Sequence, residues 1–390
     1  MKFAARMNSV KPSATLAVSA KATELADKGI DIISFALGEP DFDTPKHIGE
    51  AAKKAVDDGF THYTAVPGTA ALRKAICAYF QREHNASAKP ENVIACAGGK
   101  HALFNLLLTM VDPGDEVLIP APYWTSYPDM VGLAGGTPVI VPCPSSRGFR
   151  LTPEDLESKR TASTRFLILN SPSNPTGVAY TQAEIDALIG WAVEHDIFVI
   201  ADEIYSQLVY PPAAAGSAVS WWERCPEQVA VMNGLSKSFA MTGWRMGFIL
   251  ADARLIKKIS TTQSQSTSCI STITQKAAEA ALSGSYDCIS PMREAFARRR
   301  DLAHAEICSW PGVVCPKPEG AFYLFPDVSA LFGSKFSSAS EMCTYLLEEA
   351  HVALVPGEAF GDPSCVRLSY ALSDDRIMEG LARVKKALFA

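Results

Sequence analysis

The 390-residue sequence contains no apolar run near the roughly 18 residues that a membrane-spanning helix needs, so no membrane partner is expected. It also lacks any basic run longer than Arg298-Arg299-Arg300, and its net charge is −6. That balance argues against a nucleic-acid partner. The ten cysteines include no C-x-x-C pair, and the seven histidines show no ligand spacing; no metal site is expected. Ten reduced thiols in a reducing compartment are expected instead. Asn8, Lys11 and Pro12 interrupt the N-terminus before an apolar stretch of signal-peptide length develops. Together these absences point to a cytoplasmic protein. There is no internal repeat and no low-complexity linker.

What is present is an ordinary globular composition, 48% hydrophobic against 20% charged, on a chain long enough for roughly two or three domains. The middle alternates strand-like apolar runs with helix-like periodic segments. Its clearest unit opens with FLIL (166–169), turns at SPSNPTG and continues through QAEIDALIGWAVEHD, where Ile185, Leu188, Trp191 and Ala192 recur at helical spacing. It closes with IFVIA (197–201). This is a β-α-β pattern, which implies a right-handed parallel crossover. DEVLIPAP and QVAVMNGL read as further strands. The ends differ: a short N-terminal helix, then amphipathic helices after about residue 285 and short strands such as GAFYLFP and VRLSYA. The expected architecture is α/β. A large domain at 46–285 would carry a mostly parallel sheet flanked by helices, and a smaller α+β domain would form from 1–45 and 286–390.

Ligands of open parallel sheets bind outside the carboxyl ends of the strands. Asn170, Ser171 and Asn174 follow the first strand of the unit; Asp202, Glu203 and Tyr205 follow the second. Ser236 and Lys237 follow QVAVMNGL, with Arg245 a short turn later. Gly98-Gly99-Lys100 follows VIACA and opens an apolar helix, a backbone anion site. One amine, one acid, amide and phenol donors, and a cationic cradle suit pyridoxal 5′-phosphate. That cofactor needs a Schiff-base lysine, an acid for its ring nitrogen, donors for its phenolic oxygen and a seat for its phosphate.

In order along the chain, KPSAT, ALGEPDFDTP, HYTAVPGTAALR, GGKHALFN, DPGDEV, APYWTSYP, NSPSNPTG, ADEIY, SKSFAMTGWRMG, GAFY and VRLSYA resemble the fold-type I, class I aminotransferases, in particular the bacterial aspartate aminotransferase branch. The resemblance implies that Lys237 holds the cofactor covalently and shuttles the proton. It pairs Asp202 with the ring nitrogen, and Asn174 and Tyr205 with the phenolic oxygen. Ser236, Arg245, Gly99 and Lys100 would surround the phosphate, and Tyr63 would reach it from the neighbouring subunit of a homodimer. Trp124 would stack on the ring. Arg367, with the Gly38 backbone, would take the substrate α-carboxylate.

The implied reaction moves the amino group of aspartate to 2-oxoglutarate in a ping-pong cycle, so amino acids and 2-oxo acids are the expected small-molecule partners. Residues 261–268, where animal-type relatives carry an arginine for the distal carboxylate, contain none. Lys100 is the expected substitute and Lys11 the second candidate, prephenate being accepted by some relatives of this branch. Aminotransferases for aromatic or neutral amino acids, and a β-C–S lyase that releases ammonia, share the same cofactor constellation. A ligand-sensing domain would need an attached DNA-binding module, and no basic N-terminal segment is present.

Overall fold

The computed structural model describes residues 1–390 apart from Ser9, Lys11, Ser334 and Ala390. After the helix Ala14–Asp27, strand β1 (Ile33–Ser34) leads to two helices, and then the central sheet begins. Its seven strands are β2 (Val93–Cys96), β3 (Glu116–Ala121), β4 (Thr137–Pro142), β5 (Thr164–Asn170), β6 (Phe198–Asp202), β7 (Val229–Gly234) and β8 (Gly247–Leu250). They lie in the order β2-β8-β7-β6-β5-β3-β4, parallel except for β8, which runs against both neighbours. The strands β9 (Tyr323–Leu324), β10 (Val352–Ala353), β11 (Val355–Pro356) and β12 (Val366–Ser369) follow. β1 pairs with β10, and β11, β12 and β9 form an antiparallel sheet. The two chain ends are thus knitted together by a ladder, in an α/β fold.

The 166–201 unit shows why the sequence folds this way. Every residue of β6 is buried, as a parallel strand covered on both faces requires. Between β5 and β6, the helix Gln182–Glu194 starts at a reciprocal cap. Glu184 N–H donates to Thr181 Oγ1 at 3.3 Å, and Thr181 N–H donates to Glu184 Oε2 at 2.7 Å. It ends at His195, and Asp196 takes a left-handed conformation (φ 56°) that turns the chain into β6. The parallel register sets Asn170 beside Asp202, so both point-of-exit residues share one edge.

Some expectations needed correction. The N-terminal helix is 14 residues long rather than short, and is capped by Ser13 Oγ accepting from Leu16 N–H. In GAFYLFP only Tyr323–Leu324 enter a ladder, in a register that sets Tyr323 against Ser369, the last residue of β12. The loop after β1 is held by charge as well as by backbone bonds: Arg299 forks onto Asp41 (2.7 and 2.9 Å) and also reaches Asp374 at 3.2 Å. Among the described residues no helix is long and apolar enough to cross a membrane.

Because β8 runs backwards, its first residue, Gly247, lies at the same edge as Cys96 and Gly234, its ladder partners. A Cβ there would sit 2.5 Å from both Gly98 C and Gly99 N, backbone atoms that cannot swing aside. Gly247→Ala is therefore expected to lower unfolding stability by about 1–3 kcal/mol, read as a fall in the urea midpoint. An unchanged midpoint would contradict this close approach.

Candidate active site

One cleft opens at that edge. It is lined by the strand-end residues together with groups from the N-terminal helix, the loop after β1, and β12. Lys237 stands at its centre, just past β7, and its Nζ donates to the Gly38 carbonyl. Burial pushes this amine down to about 8; Arg367 and Arg245 add to the depression, while Glu39 opposes it. Asp202, the last residue of β6, is buried. Its Oδ2 accepts from Tyr127 O–H at 2.6 Å and its Oδ1 from Ile204 N–H at 3.2 Å. Burial raises its carboxyl to about 6, against the lowering effect of those donors. An acid near 6 and an amine near 8 in one cleft form a perturbed pair of the kind that clusters at functional sites.

Asn174 is oriented from two sides. Its backbone N–H donates to Asn170 Oδ1 at 2.9 Å, and its own Oδ1 accepts from Arg367 Nη1 at 3.0 Å. That leaves its amide nitrogen as the donor facing the cleft. Arg367 is buried on β12, with Nη2 donating to Ala36 O at 2.7 Å and Nε lacking a partner among the described residues. The guanidinium carbon lies 4.6 and 4.8 Å from the ring centroids of Tyr323 and Phe360. Tyr205 Oη is 2.9 Å from Tyr323 Oη.

At the other end of the cleft, the helix Gly99–Met110 starts at Gly98 (φ 89°). A Cβ on Gly98 would meet Arg245 Nη2 at 2.4 Å, so glycine is needed for the guanidinium to close over the helix terminus. Arg245 itself has φ 56° and donates to Thr242 O at 2.9 Å. Ser236 is buried beside it. Lys100 is on the rim with Nζ 4.9 Å from the Trp124 ring centroid; burial, then Arg245, lowers its amine.

Gly38, Gly99, Lys100, Trp124, Asn174, Asp202, Tyr205, Ser236, Lys237, Arg245 and Arg367 all line this cleft. Tyr63 does not: it is 91% exposed. Its loop is braced by Gln275 Nε2 donating to Thr64 Oγ1 at 2.8 Å and Thr272 Oγ1 donating to Phe60 O at 2.9 Å. Lys11 lies outside the described residues. Tyr127, Tyr323, Thr242 and the Ser13–Leu16 end of the first helix also line the cleft, without a sequence signal that singles them out. Tyr127 and Tyr323 stood inside quoted motifs, three residues after Trp124 and at the end of GAFY, but nothing local marks a tyrosine as facing a distant carboxylate or phenol.

Pyridoxal phosphate fits these residues. Among the described residues the buried Asp202 carboxylate has neutral donors but no cation bonded to it, which a protonated ring nitrogen would supply. The glycine-lined helix start under Arg245 is an anion cradle. The family model described as aminotransferase class I and II matches residues 30–384. The chain is 44% identical over 387 residues to the aspartate aminotransferase of Bacillus subtilis, covering 99% of this chain and 98% of the relative. It is 46% identical over 383 residues to an aspartate/prephenate aminotransferase of Cereibacter sphaeroides, covering 96% of each. The aspartate aminotransferase structure from Rhizobium meliloti matches with a TM-score of 0.95 at 40% identity, over 100% of this chain and 99% of that one. The Thermus thermophilus enzyme with maleate matches with a TM-score of 0.94 at 41% identity, over 100% of each. A strand-end cleft with this donor set and these full-length likenesses have one reading: the chain belongs to the class I and II aminotransferases.

Proposed function

We propose that the protein is a pyridoxal-phosphate-dependent aspartate aminotransferase that passes the amino group to 2-oxoglutarate and works as a homodimer in the cytoplasm. The observation that carries this reading is the partly buried Lys237 amine, near 8, in the same cleft as the buried Asp202 carboxyl, near 6, and the Arg367 fork. The relatives named for aspartate, and the structural neighbour holding the dicarboxylate maleate, support the substrate class. The aspartate/prephenate relative supports prephenate as a second amino acceptor.

Pyridoxal phosphate, when bound, supplies an electron-withdrawing ring that stabilises the negative charge left by a departing α-proton. Lys237 Nζ holds the cofactor and, with its amine close to neutrality, accepts the α-proton. Asp202 keeps a proton on the ring nitrogen. Asn174 and Tyr205 donate to the phenolic oxygen, Ser236, Arg245 and the Gly99 helix start bind the phosphate, and Lys100, on the rim, takes the distal carboxylate of the substrate. Trp124 covers the ring. Arg367 takes the α-carboxylate on two donors, with the Gly38 backbone beside it. Tyr63, held outward on its braced loop, completes the phosphate site of the second subunit. Ten unpaired cysteines support a reducing compartment.

Three outcomes are expected. Lys237→Ala abolishes transamination, measured as 2-oxo acid formation from aspartate; near-normal rates would reject the role of Lys237. Lys100→Ala raises KM for aspartate and 2-oxoglutarate about ten- to a hundred-fold, the loss of roughly 1.5–3 kcal/mol for a charge-assisted contact, and leaves alanine and phenylalanine nearly unaffected. Equal losses would assign Lys100 to the phosphate alone and move attention to Lys11. Finally, Tyr63→Ala and Lys237→Ala, mixed under conditions of demonstrated subunit exchange, recover up to about a quarter of wild-type activity, since half the dimers are hybrids with one intact site. No recovery would count against a shared site.

A further inference from the structure

Tyr323 is fully buried, yet it touches both halves of the site. Its ring centroid lies 4.6 Å from the Arg367 guanidinium carbon, which is also 4.8 Å from the Phe360 centroid. Its hydroxyl is 2.9 Å from Tyr205 Oη, and the two rings meet edge to face at 5.9 Å. A Cβ at Gly38 would lie 3.0 Å from the same hydroxyl, so the loop whose carbonyl accepts from Lys237 packs directly against it. We infer that Tyr323 is a positioning residue that couples the carboxylate clamp to the phenol donor: its ring holds Arg367 flat, and its O–H sets the direction in which Tyr205 donates.

Each phenol has a single proton to give. Among the described residues, Tyr323 Oη has Tyr205 Oη as its hydrogen-bond partner and Tyr205 Oη has no other. If Tyr205 donates into the cleft, as the proposed function requires, it cannot also donate to Tyr323. The bond between them must then run from Tyr323 O–H to Tyr205 Oη. A phenol that accepts a hydrogen bond is a stronger donor for its own proton, so Tyr323 strengthens the donation of Tyr205 to the cofactor oxygen. The other end of the device is the ring face, where a cation over an aromatic is attracted by the quadrupole; here it fixes the plane of the Arg367 fork. The inference rests on pyridoxal phosphate occupying this cleft.

The test uses the holoenzyme and its visible absorbance band, titrated against pH. Tyr323→Phe keeps the ring and removes only the hydroxyl. Weaker donation from Tyr205 stabilises negative charge on the cofactor oxygen less, so the shared proton is held to higher pH. The midpoint is expected to rise by roughly half a pH unit, while KM for aspartate stays near its wild-type value. Tyr205→Phe should raise the midpoint further, and adding Tyr323→Phe to it should change nothing more. Tyr323→Leu, which also removes the ring, should raise KM for aspartate about several-fold. An unmoved midpoint in Tyr323→Phe, or an equal shift with and without Tyr205, would overturn the coupling. A wild-type protein with no visible band at all would instead overturn the cofactor reading, and the inference with it.

Discussion

Taking ionisable groups out of water at one edge of one sheet is the constraint on which the rest of the structure depends. Desolvation raises the Asp202 carboxyl to about 6 and lowers the Lys237 amine to about 8, opposite movements that bring an acid and a base toward neutrality from both sides. The fold that buries these groups also supplies hydrogen-bond partners, which stabilise the charged forms and so limit both movements. Tyr127 O–H and Ile204 N–H donate to Asp202, and the Gly38 carbonyl accepts from Lys237. Burial without those partners would cost several kcal/mol per charge.

Apart from Ile204, the partners of the buried site groups come from far away in the chain. Lys237 is 199 residues from Gly38, Arg367 is 331 from Ala36 and 193 from Asn174. The site therefore exists only after both chain ends have closed over the sheet. The β1–β10 ladder and the Arg299 fork onto Asp41 hold them there. At the sheet edge, the reversed β8 lets three glycine-bearing segments converge without side chains between them, so that Arg245 can close over the Gly99 helix start. Backbone crowding here is the condition for an anion cradle made of N–H groups rather than of long side chains.

Much of this was legible in the sequence because it is local. The alternation from FLIL to IFVIA dictates a β-α-β unit, and the parallel register then sets Asn170 beside Asp202 without further information. Lys237, Arg245 and the Gly98-Gly99 pair sit at strand ends for the same reason. The parts that were not legible depend on tertiary approach. Tyr127 and Tyr323 are ordinary aromatic residues until a carboxylate and a phenol arrive from elements 75 and 118 residues away. The two-residue strands have too few residues for a period to register. Tyr63, 91% exposed on its hydrogen-bonded loop, would be covered only by a second chain, which no single-chain pattern encodes.

The central claim is that one cleft stores the amino group between two substrates. Its most direct measurement is a stoichiometric half-reaction: aspartate is added to the holoenzyme without any 2-oxo acid, and the visible band, the 2-oxo acid product and free ammonia are followed together. The account predicts loss of the band with one equivalent of the 2-oxo acid of aspartate per site, no ammonia, and return of the band when 2-oxoglutarate is added. Continuous ammonia release from aspartate alone, or a band that aspartate leaves unchanged, would contradict it.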